Sequence, residues 1–362
     1  MDGSSPVSLA DVERECRSTL PAEIWDFIAG GSGNETAMRA NRAALDSVSV
    51  VPRVLAGGRR ADTSSKLLRT DVAAPLAVAP MAYHRLVHPG GEVETAAAAK
   101  ECGIPLVVST LSSCHIEDIA ETGAALWFQV YWLADERLVR ELVRRAEDAG
   151  CQALVVTADV PVLGRRLRDI RNQFVLPTDV RAVQLADTTG DSLAHAPGIG
   201  SAVATHTASA FLAGLSWEHV RRLREWSSLP LVVKGVLDPR DAVMAVRCGA
   251  DAVVVSNHGG RQLDAAPGAC TQLDAVVRAV EGACEVMFDS GIRSGTDVLR
   301  ALVLGAHGVL VGRPALWGLG VRGRVGVAEV MSLLRDELAD ALTLAGCADI
   351  SQTRDLAIGK AP

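Results

Sequence analysis

A histidine and an arginine spaced across a glycine turn can remove a proton beside a bound carboxylate, and Ser256-Asn257-His258-Gly259-Gly260-Arg261-Gln262-Leu263-Asp264 supplies that pair. Imidazole takes and gives protons near neutrality. A guanidinium grips a carboxylate through two parallel hydrogen bonds. The stretch follows Ala250-Asp251-Ala252-Val253-Val254-Val255, a β-branched run that reads as a buried parallel strand. A histidine leaving a strand also suits a purely structural, hydrogen-bonded role, so the elements around it must decide.

Those elements repeat. Short apolar runs read as strands at Leu76 to Ala79, Pro105 to Ser109, Leu126 to Val130, Ala153 to Thr157, Leu231 to Lys234, Ala252 to Ser256, Val286 to Asp289 and Gly308 to Val311. Amphipathic helices alternate with them, as in Asp135 to Ala149, where Leu138, Leu142 and Val143 form a stripe beside Arg140, Arg144 and Arg145. Asp238-Pro239 offers a cap with proline at the first helical position, and Thr271 with Asp274 offers a cap for the next helix. Eight such alternations predict an α/β fold, a (β/α)8 TIM barrel. The chain reads as one domain over 1–362, with N-terminal helices over 1–55 and the barrel over 56–362. In the extension, a helix beginning near Leu20-Pro21 is expected to stop at Gly30-Gly31 through left-handed glycines. After the fourth strand, 174–214 is a long, weakly periodic insertion that reads as a lid or binding element.

In such a barrel every strand's carboxyl end opens on one face. That face would gather Pro80-Met81-Ala82, Ser112, Gln129 with Tyr131, Thr157 with Asp159, Arg165-Arg166, Lys234, His258 with Arg261, Asp289-Gly291-Arg293 and Gly312-Arg313. The last two loops are the usual phosphate site, where Gly291 and Gly312 let backbone N–H groups approach an anion that Arg293 and Arg313 neutralise. The phosphate could belong to substrate or cofactor. Ser112, Gln129 and Thr157 provide uncharged donors and acceptors for a flat ring, with Lys234 as a cation suited to a reduced flavin. FMN fits better than a dinucleotide, because no G-x-G-x-x-G follows an early strand.

Composition limits the alternatives. With 362 residues, 49% of them hydrophobic, the chain can bury a large core. The formal charge of −7 and scattered basic residues argue against a nucleic-acid partner. The amino terminus lacks the apolar run of a secretory signal, and the longest apolar stretches are too broken for a membrane span. The eight cysteines lie singly, without C-x-x-C, so reduced thiols and a cytoplasmic location are expected. No histidine-rich ligand pattern appears, and no metal is expected.

The nine-residue stretch at 256–264 closely resembles the signature of the FMN-dependent α-hydroxy acid oxidases and dehydrogenases, a family that includes glycolate oxidase, lactate oxidase and mandelate dehydrogenase. The likeness extends through Thr110-Leu111-Ser112-Ser113, Gln129-Val130-Tyr131, Thr157-Ala158-Asp159, Leu163-Gly164-Arg165-Arg166, Val233-Lys234-Gly235 and Asp289-Ser290-Gly291-Ile292-Arg293. The resemblance implies FMN as cofactor and oxidation of an (S)-2-hydroxy acid to its 2-keto acid. By the same resemblance His258 is the base, Asp159 stabilises its protonated form, and Tyr131 hydrogen-bonds the substrate. Arg261 and Arg166 would bind its carboxylate. Ser112, Gln129, Thr157 and Lys234 match contacts of the flavin ring, while Pro80, Met81 and Ala82 would face its redox edge. Asp289, Gly291, Arg293, Gly312 and Arg313 match ribityl and phosphate contacts.

Two departures from glycolate oxidase bear on specificity: Phe27 stands for a second active-site tyrosine, and Cys114 for a tryptophan. Both would make the pocket roomier and less polar, favouring an aromatic acid such as mandelate or 4-hydroxymandelate, as in the hydroxymandelate-oxidising members. Lactate or glycolate remains the alternative. Molecular oxygen is the expected acceptor, giving hydrogen peroxide, with a dehydrogenase using another acceptor still open. Relatives are often homotetramers, which sets the expectation for assembly. A phosphate-binding isomerase barrel or a non-catalytic scaffold would leave the two carboxylate-binding arginines without a purpose.

Overall fold

The computed structural model describes residues 6–56, 60–185 and 210–359. The chain begins with three helices, α1 (Leu9–Thr19), α2 (Ala22–Ala29) and α3 (Thr36–Asp46). A short strand β1 (Val50–Val51) and a hairpin of β2 (Ser65–Leu67) and β3 (Thr70–Val72) follow. The eight barrel strands are β4 (Leu76–Val78), β5 (Leu106–Ser109), β6 (Leu126–Val130), β7 (Ala153–Thr157), β8 (Leu231–Val236), β9 (Ala252–Val255), β10 (Glu285–Phe288) and β11 (Gly308–Val311). They pair in parallel, each with the next, and β11 returns to β4 to close the barrel. The expected (β/α)8 architecture is therefore present, with each expected strand within about two residues of its place.

Period-two alternation sorts each strand's side chains. Ala77, Val107, Trp127, Val155, Val232, Val254, Met287 and Leu310 point inward as one apolar plug, which Leu67 and Val72 of the β2–β3 hairpin join. Leu106, Val108, Leu154, Val156, Val253 and Val286 point outward and pack under the helices. Two residues beyond each inward residue the chain reaches the mouth, so the same pleat that builds the plug decides which side chains ring the opening.

Some helix ends follow the sequence reading. Asp135 accepts from the Arg137 N–H and Asp238 from the Arg240 N–H, with Pro239 at the first turn. Two differ. The helix Cys270–Val280 starts without a side-chain cap of its own: Thr271 lies inside it and donates to the Gly268 carbonyl. The Ala269 N–H at its start goes instead to the side chain of Asn41, from α3. Helix α2 stops because Gly30 turns extended (φ −65°, ψ 156°), not left-handed, which leaves its last carbonyls free for other donors. The long final helix Arg313–Ala345, broken at Arg322 and Gly323, packs along α1. The last strand, β12 (Ala357–Ile358), pairs antiparallel with β1.

Of the insertion at 174–214, residues 186–209 lie outside the described residues. Its first part is not loosely held, since Phe174, Leu176, Val180, Ala182 and Leu185 are buried in the main core. At its far end Ala134 N–H donates to the Ala210 carbonyl and Leu212 N–H to the Trp132 carbonyl, pinning Phe211 beside the end of β6. Among the described residues no helix is long and apolar enough to cross a membrane. All eight cysteines are buried free thiols.

Candidate active site

The mouth residues predicted by the pleat are Ala79, Ser109, Gln129, Thr157, Lys234, Ser256, Asp289 and Gly312. Above them lies a cavity walled by Pro80, Met81, Ala82, Tyr131, Arg166, Lys234, His258, Arg261, Asp289, Gly291, Arg293, Gly312 and Arg313, with Phe27 closing one side. Most of the residues expected at the site are thus gathered at one rim from positions far apart in the chain.

His258 sits on a tight turn at φ +58°, a left-handed conformation that costs a non-glycine residue about 1–3 kcal/mol. The following Gly259 and Gly260 are also at positive φ. Around this turn, Ser256 Oγ accepts from the His258 N–H, Asn257 Oδ1 from Gly260, and Ser290 Oγ from Gly259. His258 Nδ1 lies 3.0 Å from Asp159 Oδ1. Burial lowers the imidazole's proton affinity and outweighs the pull of Asp159, so the ring stays neutral near neutrality and its Nε2 is available to take a proton. The Asp159 charge does favour the protonated form, as the resemblance implies, but desolvation is larger. Burial works to raise the Asp159 carboxyl, yet His258 and Lys234 hold it below its ordinary value. Its Oδ2 is buried without a hydrogen-bond partner among the described residues. Room for this carboxylate comes from a bulge in β8: Gly235 takes φ +102°, and a Cβ there would lie 2.5 Å from Asp159 Cγ.

The arginines are arranged for anions. Arg261 Nη1 donates to the carbonyls of Phe27 (2.8 Å) and Gly30 (2.7 Å) at the end of α2. Burial, with Arg166 and Arg313 nearby, drives its pKa well below the usual guanidinium value. Arg166 is also buried; its Nε has no hydrogen-bond partner among the described residues, and its nearest carboxylate, Asp169, is 4.0 Å away. Both guanidinium groups lie over the Phe27 ring, at 5.9 Å for Arg166 and 5.5 Å for Arg261. Two desolvated cations facing a cavity without a close carboxylate are stabilised by an incoming one. Tyr131 stacks on Phe211 at 4.5 Å, and burial pushes its hydroxyl up to about 12, so it remains a donor.

At the barrel's centre Lys234 pairs with Asp289 at 3.0 Å and reaches Ser256 Oγ at 3.2 Å. Burial opposes its charge, but Asp289 and Asp159 overcome it and hold the ammonium above its normal pKa. On the far side, Arg313 donates to the carbonyls of Ile28, Gly30 and Gly259, and Arg293 lies 4.7 Å over the Trp317 ring. Burial depresses both, to about 9 for Arg313 and about 10 for Arg293. Neither has a carboxylate in ion-pair range among the described residues. A phosphate between Gly291 and Gly312 would relieve both, so the residues fit a phosphorylated cofactor.

Some expected residues fall elsewhere. Ser112, Gln129 and Thr157 are buried just behind the cavity wall rather than on it. Gln129 Nε2 donates to Thr157 Oγ1, Ser109 Oγ donates to Gln129 Oε1, and Ser112 Oγ donates to the Cys114 carbonyl. On β5 the hydroxyl that reaches the wall is that of Ser109, which the inward alternation of the strand would have picked out. Cys114 does not widen this cavity. It is 2% exposed, packs against the Gly90 carbonyl and opens on a separate depression beside Arg85, Ser113 and His115. The turn is fixed locally: Ser112 Oγ donates to the Cys114 carbonyl, and Ser113 Oγ donates to Glu92 on the helix that follows the first barrel strand, so Ser113 and Cys114 both face that depression. Phe27 does face the site, stacked on Phe174 at 4.6 Å. Leu163, from the Leu163-Gly164-Arg165-Arg166 run, is also on the wall, as are Tyr83 and Phe211, which no short motif marks.

The sequence matches the FMN-dependent dehydrogenase family over residues 16–360. It is 51% identical to 4-hydroxymandelate oxidase of Amycolatopsis orientalis, covering 97% of each chain. It is 43% identical to L-lactate oxidase of Nostoc sp., covering 98% of this chain and 97% of that one. A crystal structure of mandelate oxidase with (S)-4-hydroxymandelic acid superimposes with a TM-score of 0.95 at 50% identity, covering 98% of this chain and 99% of that one. Barrel, signature turn and likeness along nearly the whole length agree: the chain belongs to the FMN-dependent dehydrogenase family, and FMN is its cofactor.

Proposed function

We propose that this chain oxidises (S)-2-hydroxy acids, aromatic ones of the mandelate and 4-hydroxymandelate type, to 2-keto acids, passing the electrons to O2 to give hydrogen peroxide. The observation that carries the reading is His258, held by Asp159 at 3.0 Å, beside Arg166 and Arg261 in a cavity walled by Phe27, Tyr131 and Phe211. The relatives above act, by name, on 4-hydroxymandelate and L-lactate, and the aromatic wall favours the first. Oxygen as acceptor is supported by the relatives' being named oxidases. The cytoplasmic location rests on the eight unpaired cysteines, the homotetramer on the family resemblance, and the lid role of 174–214 on the insertion's length and place after the fourth strand. The whole of 1–362 acts as one catalytic domain, since the N-terminal helices contribute Phe27 and the carbonyls that hold Arg261.

In this scheme Arg261 and Arg166 bind the carboxylate and fix the α carbon, an orientation effect. Tyr131 donates to the substrate. With Nδ1 engaged by Asp159, Nε2 of His258 takes the proton that leaves the substrate, and Asp159 balances the imidazolium that forms. FMN, when bound, would take up the two electrons together with the substrate's second hydrogen. Lys234 supplies a fixed positive charge at the centre of the barrel mouth, and Arg293 and Arg313 hold the phosphate end beside Gly291 and Gly312.

An anaerobic flavin-reduction screen over glycolate, lactate and the enantiomers of mandelate and 4-hydroxymandelate tests the reading. Bleaching should be fastest with the (S)-aryl acids, and peroxide should accumulate under air. Faster bleaching by lactate would reassign the enzyme to aliphatic acids, and a colourless purified protein would favour a scaffold.

The histidine also sets a pH dependence. Because burial lowers its pKa, His258 loses basicity only when pH falls below the ordinary histidine value of 6.5. The acid limb of kcat/KM should therefore lie below that value. Removing the opposing charge with Asp159→Asn should move the limb lower still. A limb above 6.5 in the wild type would contradict the assignment of the base.

A further inference from the structure

We infer that Asn41, on a helix outside the barrel, is a positioning residue for the base. This inference rests on the reading of His258 given above. Asn41 is 2% exposed and projects from α3 toward the signature turn. Its Nδ2 donates to Asn257 Oδ1 at 2.8 Å, and Asn257 Nδ2 donates back to Asn41 Oδ1 at 2.8 Å. The two carboxamides thus close a reciprocal pair, itself buried. Asn257 immediately precedes His258, and its Oδ1 also accepts from the Gly260 N–H, spanning the residue that carries the imidazole.

The rest of the surroundings makes the pair a clamp and not a chance contact. A Cβ at Gly260 would lie 2.6 Å from the Asn41 helix at Met38, so the turn is pressed against that helix's backbone. Ser32 N–H donates to the Gly260 carbonyl at 2.9 Å, holding the turn from a second side. His258 itself sits at φ +58°, a conformation that persists only when its surroundings over-determine it. Asn257 contributes to that determination from inside the turn, beside Ser256 and Ser290, and Asn41 holds the Asn257 carboxamide together with the Pro267 carbonyl. Without the pair, Asn257 keeps only its bonds to Pro267 and within the turn, and the turn can relax toward negative φ and shift Nε2, while Arg261 stays tied to the Phe27 and Gly30 carbonyls and Arg313 to those of Ile28 and Gly30.

The test is a double-mutant cycle on the holoenzyme, reading the rate of anaerobic flavin reduction by (S)-mandelate. Asn41→Ala should retain FMN and a substrate KM near the wild-type value, yet reduce flavin more slowly by on the order of 100-fold, the effect of a small misplacement at a reacting centre. In a His258→Ala background the same substitution should change the residual rate by roughly twofold or less, because there is no base left to aim. An equal loss in both backgrounds, or an undiminished rate in Asn41→Ala, overturns the inference. If Asn41→Ala does not accumulate as folded protein, Asn41→Asp replaces it in the same cycle, since it keeps the acceptor for Asn257 and Ala269 and sets a carboxylate oxygen against Asn257 Oδ1 in place of the donor. Wild-type enzyme that fails to bleach with any 2-hydroxy acid would instead sink the functional reading, so the two failures are told apart by the wild-type arm.

Discussion

His258→Ala should purify yellow and stay yellow: FMN bound, but its reduction by (S)-mandelate slowed on the order of ten-thousand-fold. The size follows from the geometry. His258 is the histidine on the cavity wall, with its proton affinity lowered by burial; Lys234, also on the wall, is held protonated by Asp289, and Asp159, off the wall, is held ionised by His258 and Lys234. Asp159 is too weak a base to substitute, and it stands behind the imidazole. Flavin retention is expected because the phosphate end is built from Gly291, Gly312, Arg293 and Arg313, on other loops. Stopped-flow absorbance under nitrogen measures the rate, and the visible spectrum measures occupancy. Reduction within tenfold of wild type would remove His258 from the mechanism.

Arg261→Leu should lower kcat/KM for (S)-mandelate by about a thousandfold, from the loss of charge-assisted hydrogen bonds to the carboxylate. Arg261 is held against the end of α2, next to Arg166 and Arg313, and burial with this mutual repulsion makes its cation costly until an anion arrives. A carboxylate is the ligand that relieves that cost. The methyl ester of mandelate, which carries no charge, should lose far less activity in the same variant. Steady-state kinetics with acid and ester side by side check this, and a parallel loss for both would show that the arginine serves packing and not recognition.

The strands were legible because each is a short β-branched run set between helical patterns, and period-two alternation within them is a direct consequence of the pleat. The signature turn was legible for a different reason: base, glycines and arginine are contiguous, so their chemistry is visible without knowing the fold. Ser109 illustrates what escapes. It belongs to an otherwise apolar strand, and only its inward register, set by Val107, distinguishes it from Ser112 three positions on. Cys114 fails in the opposite way, since a residue can follow an active-site motif and still be turned outward by hydrogen bonds that composition does not reveal. Phe211 and Tyr83 reach the wall through loop geometry, and the clamp between Asn41 and Asn257 joins residues 216 positions apart. Nothing in a single sequence marks such a pair.

The carbonyls at the end of α2 bring a consequence in time. Translation finishes that docking place early, yet the guanidinium groups it receives are synthesised much later, at separations of 231 residues for Arg261 and 283 for Arg313 from Gly30. A nascent polypeptide still on the ribosome, or a product of premature termination ahead of Arg313, has strands that can begin to associate but lacks a completed anion receptor. Hydroxy-acid oxidation is thereby withheld until translation has passed Arg313.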